Sequence, residues 1–153
     1  GVDVHAFDQN GSADSVRLGG VDIPHDRQLI AHSDGDVVLH ALMDALLGAA
    51  ALGDIGQHFS DTDPAYAGAD SMALLKQVVQ MIRAESYAIS NADITIAAER
   101  PKIAPHASNM RERIADALGV DQNQISIKAT TTEGLGFVGR REGIAVTAVV
   151  LLE

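Results

Sequence analysis

The chain has 153 residues, 46% of them hydrophobic, and a formal net charge of −10, which suits a single domain over residues 1–153 with a substantial apolar core. The acidic balance argues against nucleic acid and anionic membrane surfaces as partners, because both are bound by basic faces. Cysteine is absent, so disulfide bonds are excluded, and any zinc ion must be held by histidine and carboxylate side chains.

The first predicted element is a β-strand, because residues Gly1 to Phe7 alternate in polarity. Asp3 and His5 are two residues apart and therefore point to the same face of this strand. A carboxylate and an imidazole on one face can bind one metal ion, although such a pair is more often exposed to solvent without a ligand. The sequence starts with glycine rather than methionine, so we expect the natural start to lie upstream.

A long amphipathic helix is predicted next, with Ser33 or Asp34 as its N-terminal cap, because a short oxygen-bearing side chain accepts from the amides of the first turn. Its apolar stripe consists of Val37, Val38, Ala41, Leu42, Ala45, Leu46 and Ala49. Asp36, His40 and Asp44 are four residues apart and share one face of the helix. Two interpretations stay open here: a metal or catalytic site, or a partly exposed histidine between two solvated carboxylates.

The remaining elements are shorter, and their order predicts an α+β domain with one mixed sheet covered on one face by helices. No apolar stretch is long enough to span a membrane. The predicted elements are a hairpin of Val16–Leu18 and Val21–Ile23, a helix that begins at Asp70 or Ser71, a helix over His106–Leu118 that ends at Gly119, and strands over Asn91–Ala98, Gln124–Thr130 and Ile144–Leu152.

The segment from Thr130 to Gly143 carries three consecutive threonines, a glutamate, several glycines and arginine. Glycine lets backbone amides approach a phosphate, hydroxyl groups donate to it, and a hard carboxylate oxygen such as that of Glu133 suits Mg²⁺ or Mn²⁺. The composition therefore favours a phosphate-bearing ligand with a divalent cation. A glycine-rich hairpin without a ligand is the alternative that these residues leave open.

Seven short motifs occur in one order and together resemble the 2-C-methyl-D-erythritol 2,4-cyclodiphosphate synthases of the non-mevalonate isoprenoid pathway. The resemblance covers essentially the whole chain, and the ordered set is far more specific than any one motif. The motifs are Asp3-Val4-His5, His32-Ser33-Asp34-Gly35-Asp36, Leu46-Leu47-Gly48-Ala49, Gly53-Asp54-Ile55-Gly56, Asp61-Thr62-Asp63-Pro64, Lys128-Ala129-Thr130-Thr131-Thr132-Glu133 and Gly139-Arg140.

The resemblance implies a metal-dependent cyclase, a phosphorus–oxygen lyase. Its substrate is 4-diphosphocytidyl-2-C-methyl-D-erythritol 2-phosphate, whose 2-phosphate attacks the β-phosphorus. The products are the cyclic diphosphate and CMP. Two other classes are weighed against it: a metal-dependent phosphodiesterase in which water attacks, and a non-catalytic trimer that binds isoprenoid diphosphate.

The resemblance also implies the role of individual residues. A zinc-type ion is held by Asp3, His5 and His40, a second cation, Mg²⁺ or Mn²⁺, is associated with Glu133, and the transition state is stabilised by His32 and Thr131. The implied substrate-binding residues are Asp3, His5, His32, Ser33, Asp54, Ile55, Gly56, Phe59, Asp61, Thr62, Asp63, Ala98, Pro101, Lys102, Ile103, Ala104, Thr130, Thr131, Thr132, Glu133, Phe137 and Arg140.

The assembly that the resemblance implies is a homotrimer in the bacterial cytoplasm, with each active site between neighbouring subunits. Phe137 and Arg140 match positions near the threefold axis, where some family members hold an isoprenoid diphosphate. Val2 stands where the family often has an aromatic residue before the Asp-x-His motif. This departure concerns the axial ligand and leaves the metal site unchanged.

Overall fold

The computed structural model describes residues 1–60 and 68–153. These residues form an α+β fold with a four-stranded sheet and a separate two-stranded hairpin. In chain order the elements are β1 (Val2–Ala6), β2 (Ser15–Leu18), β3 (Val21–Pro24), α1 (Val37–Ala49), α2 (Ile55–His58), α3 (Ser71–Ala84), β4 (Ile89–Ala97), a 3₁₀ turn (Ala104–His106), α4 (Ala107–Leu118), a 3₁₀ turn (Gln122–Gln124), β5 (Ile125–Thr130), α5 (Gly136–Gly139) and β6 (Gly143–Leu152).

The large sheet has the strand order β1-β6-β4-β5. β4 and β5 are parallel, whereas β6 is antiparallel to both β1 and β4, so the prediction of a mixed sheet is confirmed. The glycine-rich segment between β5 and β6 does not form a hairpin, because β4 lies between these two strands. It forms instead a loop followed by the single turn of α5.

Helices cover one face of the large sheet, as the sequence predicts. α1 packs against β6 and β1, α4 packs against β5, and α3 contacts both helices. Because side chains alternate along a strand, Ile144 and Val146 of β6 are buried beneath the helices, whereas Val149 on the opposite face is 64% exposed. Val2 and Val4 of β1 are also exposed, so the uncovered face of the sheet is apolar along these two strands.

Helix α1 begins later than the sequence predicts. Its cap is Asp36, whose side chain accepts a hydrogen bond from the Leu39 amide at 3.1 Å, and the expected cap at Ser33 or Asp34 is wrong. All three side chains are capable caps. Contacts with the β2–β3 hairpin distinguish them, because Asp36 alone reaches the turn of that hairpin.

The hairpin turn is bound to α1 through this buried carboxylate. The Gly19 and Gly20 amides donate to Asp36 at 2.8 and 2.7 Å. Both glycines have positive φ, and a Cβ atom at Gly20 would lie 2.5 Å from the Met72 side chain. Burial raises the pKa of the Asp36 carboxyl, although the amides that donate to it oppose this effect.

The other helix ends agree with the sequence pattern. Asp70 caps α3 by accepting from the Met72 amide, and Gly119 ends α4 in the left-handed conformation with φ of 69°. The one-turn helices α2 and α5 are not predicted, since four residues carry no helical periodicity. Among the helices of the described ranges 1–60 and 68–153, none is both long and apolar enough to cross a bilayer.

Candidate metal centre and phosphate-binding loop

Three predicted metal ligands meet where β1 packs against α1. Asp3 and His5 point from β1 toward the helices. His40 lies near the start of α1 and faces these two side chains. Asp3 Oδ2 lies 3.2 Å from His5 Nδ1 and 3.2 Å from His40 Nδ1. One candidate ligand atom from each residue falls within 4.8 Å of the others, so a single ion can contact all three.

The donor set fits a zinc-type divalent cation. Asp3 Oδ2 and His5 Nδ1 are both buried and have no hydrogen-bond partner among the described residues, which is costly unless another group satisfies them. One carboxylate and two imidazoles leave a fourth position open, as catalytic zinc sites do. Burial alone raises the pKa of the Asp3 carboxyl, but its contacts with His40 and His5 outweigh burial and lower that pKa well below its usual range.

The alternative of a partly exposed histidine between solvated carboxylates is wrong. His40 is only 8% exposed, and Asp36 is completely buried. Asp36 caps α1, while Asp44 accepts a hydrogen bond from the Ile55 amide at 2.8 Å and connects α1 to α2. The two carboxylates are therefore structural, and His40 belongs to the metal cluster.

The outer nitrogen of His40 is held by hydroxyl groups. Nε2 lies 2.9 Å from Ser71 Oγ and 3.1 Å from Ser33 Oγ, and Ser71 Oγ donates to the Asp34 carboxylate. From their positions in the sequence, Ser71 and Asp34 are predicted only as possible helix caps. Neither residue carries a metal-binding signal by spacing, because Ser71 is 31 residues from His40 along the chain.

A cavity of about 360 Å³ opens on the metal cluster. It is lined by predicted metal ligands and predicted substrate-binding residues: Asp3, His5, His32, Ser33, His40, Ile55, Gly56 and Phe59. Asp54 lies next to this cavity and uses its side chain to cap α2, accepting from the Gln57 amide at 3.1 Å. The predicted substrate residues Asp61, Thr62 and Asp63 lie outside the described residues.

The threonine-rich loop after β5 forms a second polar site. The Thr131 hydroxyl donates to Glu133 Oε1 at 2.8 Å, so these two predicted residues are adjacent. Glu133 has φ of +53°, a conformation that is unfavourable for glutamate and that concentrates at functional sites. Glu99 accepts from the Thr132 and Gly134 amides at 3.0 and 3.4 Å. Glu99 thereby shapes the loop, a role that its position in the sequence does not predict.

A second cavity, of about 490 Å³, adjoins this loop. It is lined by the segment Ala98–Ala104, which holds five of the predicted substrate-binding residues, together with Thr130 and Thr131. Ala98, Pro101 and Ile103 are buried, whereas Lys102 is exposed. The segment therefore offers mainly its backbone and the Lys102 ammonium group to a ligand.

The two cavities lie at opposite edges of the large sheet. β1, which carries Asp3 and His5, is one edge strand, and β5, which leads into Thr131 and Glu133, is the other. Three strand spacings separate these edges, a distance of about 14 Å. Within one chain, the metal cluster and the threonine loop therefore do not line the same cavity.

Comparison with known proteins identifies the family of this chain. The model of the YgbB family matches residues 1–153. The chain is 62% identical to 2-C-methyl-D-erythritol 2,4-cyclodiphosphate synthase of Ectopseudomonas mendocina (strain ymp) over 152 residues, which is 99% of this chain and 95% of that protein. The chain belongs to the YgbB family. It is an enzyme, as its relatives' synthase names indicate.

Two solved structures related to this YgbB-family chain share its fold. The bifunctional IspDF from Campylobacter jejuni superposes with a TM-score of 0.92 at 47% identity, and the match covers 99% of this chain and 40% of that one. IspF of Plasmodium falciparum, solved as a CDP complex, gives a TM-score of 0.85 at 34% identity, with 99% and 92% of the two chains covered. Both identities are high enough to indicate shared ancestry as well as shared fold.

The last two predicted site residues of this YgbB-family chain are Phe137, on α5, and Arg140, which directly follows that helix. Phe137 is 38% exposed, and Leu135, two residues earlier, is 74% exposed. Arg140 binds Glu142 through a hydrogen bond of 2.9 Å from Nε. The turn therefore presents an apolar surface beside a paired guanidinium group, at a place separate from the metal cavity.

Proposed function

We propose that this enzyme converts 4-diphosphocytidyl-2-C-methyl-D-erythritol 2-phosphate to 2-C-methyl-D-erythritol 2,4-cyclodiphosphate and CMP. The observation that carries the proposal is the Asp3–His5–His40 cluster, whose unpartnered donor atoms face the cavity that also holds Ser33 and His32. The names of the relatives, which describe this synthase, support the same reaction.

The reaction requires no protein nucleophile. An oxygen of the 2-phosphate forms a bond to the β-phosphorus, the bond from that phosphorus to the oxygen bridging it to the α-phosphate breaks, and CMP departs with the electron pair. Both reacting groups belong to one molecule. The enzyme must therefore bend the substrate into an in-line arrangement and offset its negative charge. A chain of net charge −10 supplies little of the positive charge that this requires.

Cations supply the missing positive charge in this proposal. Asp3, His5 and His40 would hold Zn²⁺, and Glu133 would hold Mg²⁺ or Mn²⁺ together with the substrate's diphosphate. When bound, these ions provide Lewis-acid charge to the phosphate oxygens. The hard carboxylate of Glu133 suits the second ion, whereas the imidazoles of His5 and His40 favour the first.

Side chains at the rims of the two cavities complete the proposed site. His32 is exposed at the mouth of the metal cavity, and the Ser33 hydroxyl lies beside it, so both can donate to phosphate oxygens. Thr131 is exposed at the second cavity, the one lined by Ala98–Ala104, and can donate to the diphosphate. We assign transition-state stabilisation to His32 and Thr131, because hydrogen bonds to the developing charge lower the barrier.

The two halves of the substrate would occupy the two cavities. Ile55, Gly56 and Phe59 line the apolar side of the metal cavity and suit the methylerythritol carbons. The Ala98–Ala104 segment would bind cytidine through backbone groups, with Lys102 near the phosphates. The CDP complex of the Plasmodium falciparum relative supports a cytidine nucleotide as ligand.

We further propose that the active enzyme is a homotrimer. The metal cluster and the threonine loop lie at opposite edges of one sheet, so a shared diphosphate requires the two halves to come from neighbouring subunits. The exposed valines Val2, Val4 and Val149 would be buried in such an assembly. Phe137 and Arg140 would then lie near the axis, where an isoprenoid diphosphate can bind, and the cytoplasmic location stays a prediction.

The test is a ³¹P NMR assay with the proposed substrate, Zn²⁺ and Mg²⁺. Equal amounts of CMP and a cyclic diphosphate are expected. CMP with a linear phosphorylated product would identify a phosphodiesterase instead. No turnover by a zinc-loaded trimer, together with unchanged ligand binding in His32→Ala and Thr131→Ala variants, would identify a binding protein.

A further inference from the structure

The residues Ser71 and Asp34 connect the first turn of α3 to the metal cluster. Ser71 is completely buried. Its backbone amide donates to Asp34 Oδ2 at 3.0 Å, its hydroxyl donates to Asp34 Oδ1, and its Oγ lies 2.9 Å from His40 Nε2. The serine is thereby fixed from two sides by one carboxylate, and it faces the outer nitrogen of a proposed metal ligand.

Counting hydrogens along this connection determines the tautomer of His40. A serine hydroxyl has one hydrogen, and here that hydrogen is donated to the Asp34 carboxylate, which accepts only. Ser71 Oγ can therefore act only as an acceptor toward His40, so Nε2 must carry the imidazole hydrogen. In the neutral imidazole, the form that binds a metal ion, the lone pair is then on Nδ1, the nitrogen that lies 3.2 Å from Asp3 Oδ2 at the centre of the cluster.

We propose that Ser71 and Asp34 are positioning residues that hold His40 in the tautomer required for metal binding. This inference rests on the proposed metal site. Ser33 Oγ also lies near Nε2, at 3.1 Å, but no carboxylate of residues 1–60 and 68–153 accepts its hydrogen, so this hydroxyl can donate or accept and does not select a tautomer. The Arg17 guanidinium, 3.8 Å from Asp34 Oδ2, favours the carboxylate as an acceptor.

The direct test is the affinity of the folded protein for Zn²⁺, measured by competition with a chelator. Ser71→Ala should weaken zinc binding about tenfold, because removal of the partner of a metal-bound histidine typically costs that much or more. Asp70→Ala is the matched control. It removes the neighbouring α3 cap at the Met72 amide without touching His40, so it should lower the melting temperature and leave zinc affinity unchanged.

A double-mutant cycle tests whether Asp34 affects zinc affinity through Ser71 or independently of it. Asp34→Asn replaces one acceptor oxygen by an amide donor and allows the Ser71 hydroxyl to turn toward His40, so it should also weaken zinc binding. If Asp34 acts through Ser71, the double variant Ser71→Ala/Asp34→Asn should bind zinc no more weakly than Ser71→Ala alone. If the losses of zinc affinity in the two single variants multiply in the double variant, Asp34 does not act through Ser71, and this part of the proposal is wrong.

A spectroscopic measurement keeps the proposal testable if the variants fail to fold. In ¹⁵N-labelled, zinc-loaded wild-type protein, the His40 ring should show a protonated Nε2 and a metal-bound Nδ1. The opposite assignment, or unchanged zinc affinity in a folded Ser71→Ala variant, would overturn the inference about Ser71 and Asp34. If the wild-type protein itself binds no zinc, the proposed metal site fails, which is a separate result.

Discussion

The buried His40 side chain lies beside two polar atoms, one from Asp3 and one from His5, that lack a hydrogen-bond partner among the described residues. Asp3 Oδ2 and His5 Nδ1 have no hydrogen-bond partner among the described residues, and His40 Nδ1 points to the same centre. Such a cluster is costly as a purely structural feature, because buried polar atoms are normally paired. Metal binding gives all three side chains a partner.

We predict that His40→Ala removes zinc while the protein stays folded, because the substitution deletes a ligand at the edge of the core. Metal analysis after gel filtration measures the zinc content, and circular dichroism measures the fold. His106→Ala, at the start of α4 and outside the cluster, is the control and should keep its zinc. Full zinc occupancy in His40→Ala would exclude His40 as a ligand.

Glu133 has an unfavourable backbone conformation that the surrounding loop maintains. Its positive φ is maintained by neighbouring contacts, since Glu99 accepts from the amides on both sides of it. The Thr131 hydroxyl binds its carboxylate. The carboxylate is thereby exposed and oriented, as a ligand to a cation shared with substrate phosphates must be.

Glu133→Ala should raise the Mg²⁺ or Mn²⁺ concentration needed for half-maximal activity, by about tenfold or more, while zinc content stays the same. A cation titration of the initial rate measures the first quantity, and metal analysis measures the second. Glu142→Ala removes another exposed carboxylate, one that binds Arg140, and it serves as the control. An unchanged titration in Glu133→Ala would exclude this role.

At the scale of elements, a single buried carboxylate joins the β2–β3 hairpin to α1. Asp36 accepts from the Gly19, Gly20 and Leu39 amides. Gly19 and Gly20 lie in the turn of the hairpin, and Leu39 lies on α1. The hairpin and α1 contribute to the same hydrophobic core. The link fixes the start of α1 and, one turn later, the position of His40.

Asp36→Ala should lower the free energy of unfolding by about 3 kcal/mol, because three buried amides lose a charged acceptor. Urea denaturation measures the change. Asp22→Ala is the control on the same hairpin, since Asp22 is exposed and forms a surface ion pair with Arg17, which contributes at most about 1 kcal/mol. Equal losses in the two variants would contradict the account of Asp36.

The elements that could be predicted from sequence are those with a local signal. The hairpin, α3, α4 and β6 follow from periodicity and from caps such as Asp70 and Gly119. The start of α1 was predicted wrongly, because the side chains of Ser33, Asp34 and Asp36 can all cap a helix. Only the amides of Gly19 and Gly20, which are distant in sequence, select Asp36. One-turn helices such as α2 give no periodic signal.

The same distinction applies to the site. The spacing of Asp3 and His5 suggests a pair of ligands, the resemblance to the synthases adds His40, and the structure brings the three residues together. Ser71 and Glu99 were missed because their partners are 37 and 33 residues away along the chain. Such supporting contacts arise only when α3 packs on α1 and when β4 pairs with β5, so no local pattern announces them.

At the scale of the whole molecule, the two candidate cavities divide one proposed active site. The metal cluster lies at the β1 edge of the sheet and the threonine loop at the β5 edge. In a closed ring of identical subunits, the first edge of one subunit can meet the second edge of the next. Every subunit would then contribute to two active sites.

This division predicts complementation between two defective chains. Each homotrimer of His40→Ala or Glu133→Ala should have little activity under limiting Mg²⁺. In a co-refolded equal mixture, three quarters of the trimers are mixed and each has one intact site, so activity should return to about one quarter of the wild-type value. No recovery in mixed trimers would place both residues of each site in the same subunit.

The central claim is that the substrate's own phosphate, rather than water, attacks the β-phosphorus. Turnover in ¹⁸O-labelled water, followed by mass spectrometry of the products, tests this claim most directly. If the account is correct, neither CMP nor the cyclic diphosphate contains solvent oxygen, because the bridging oxygen leaves with CMP. One ¹⁸O atom in a linear phosphorylated product would show that water is the nucleophile and would contradict the account.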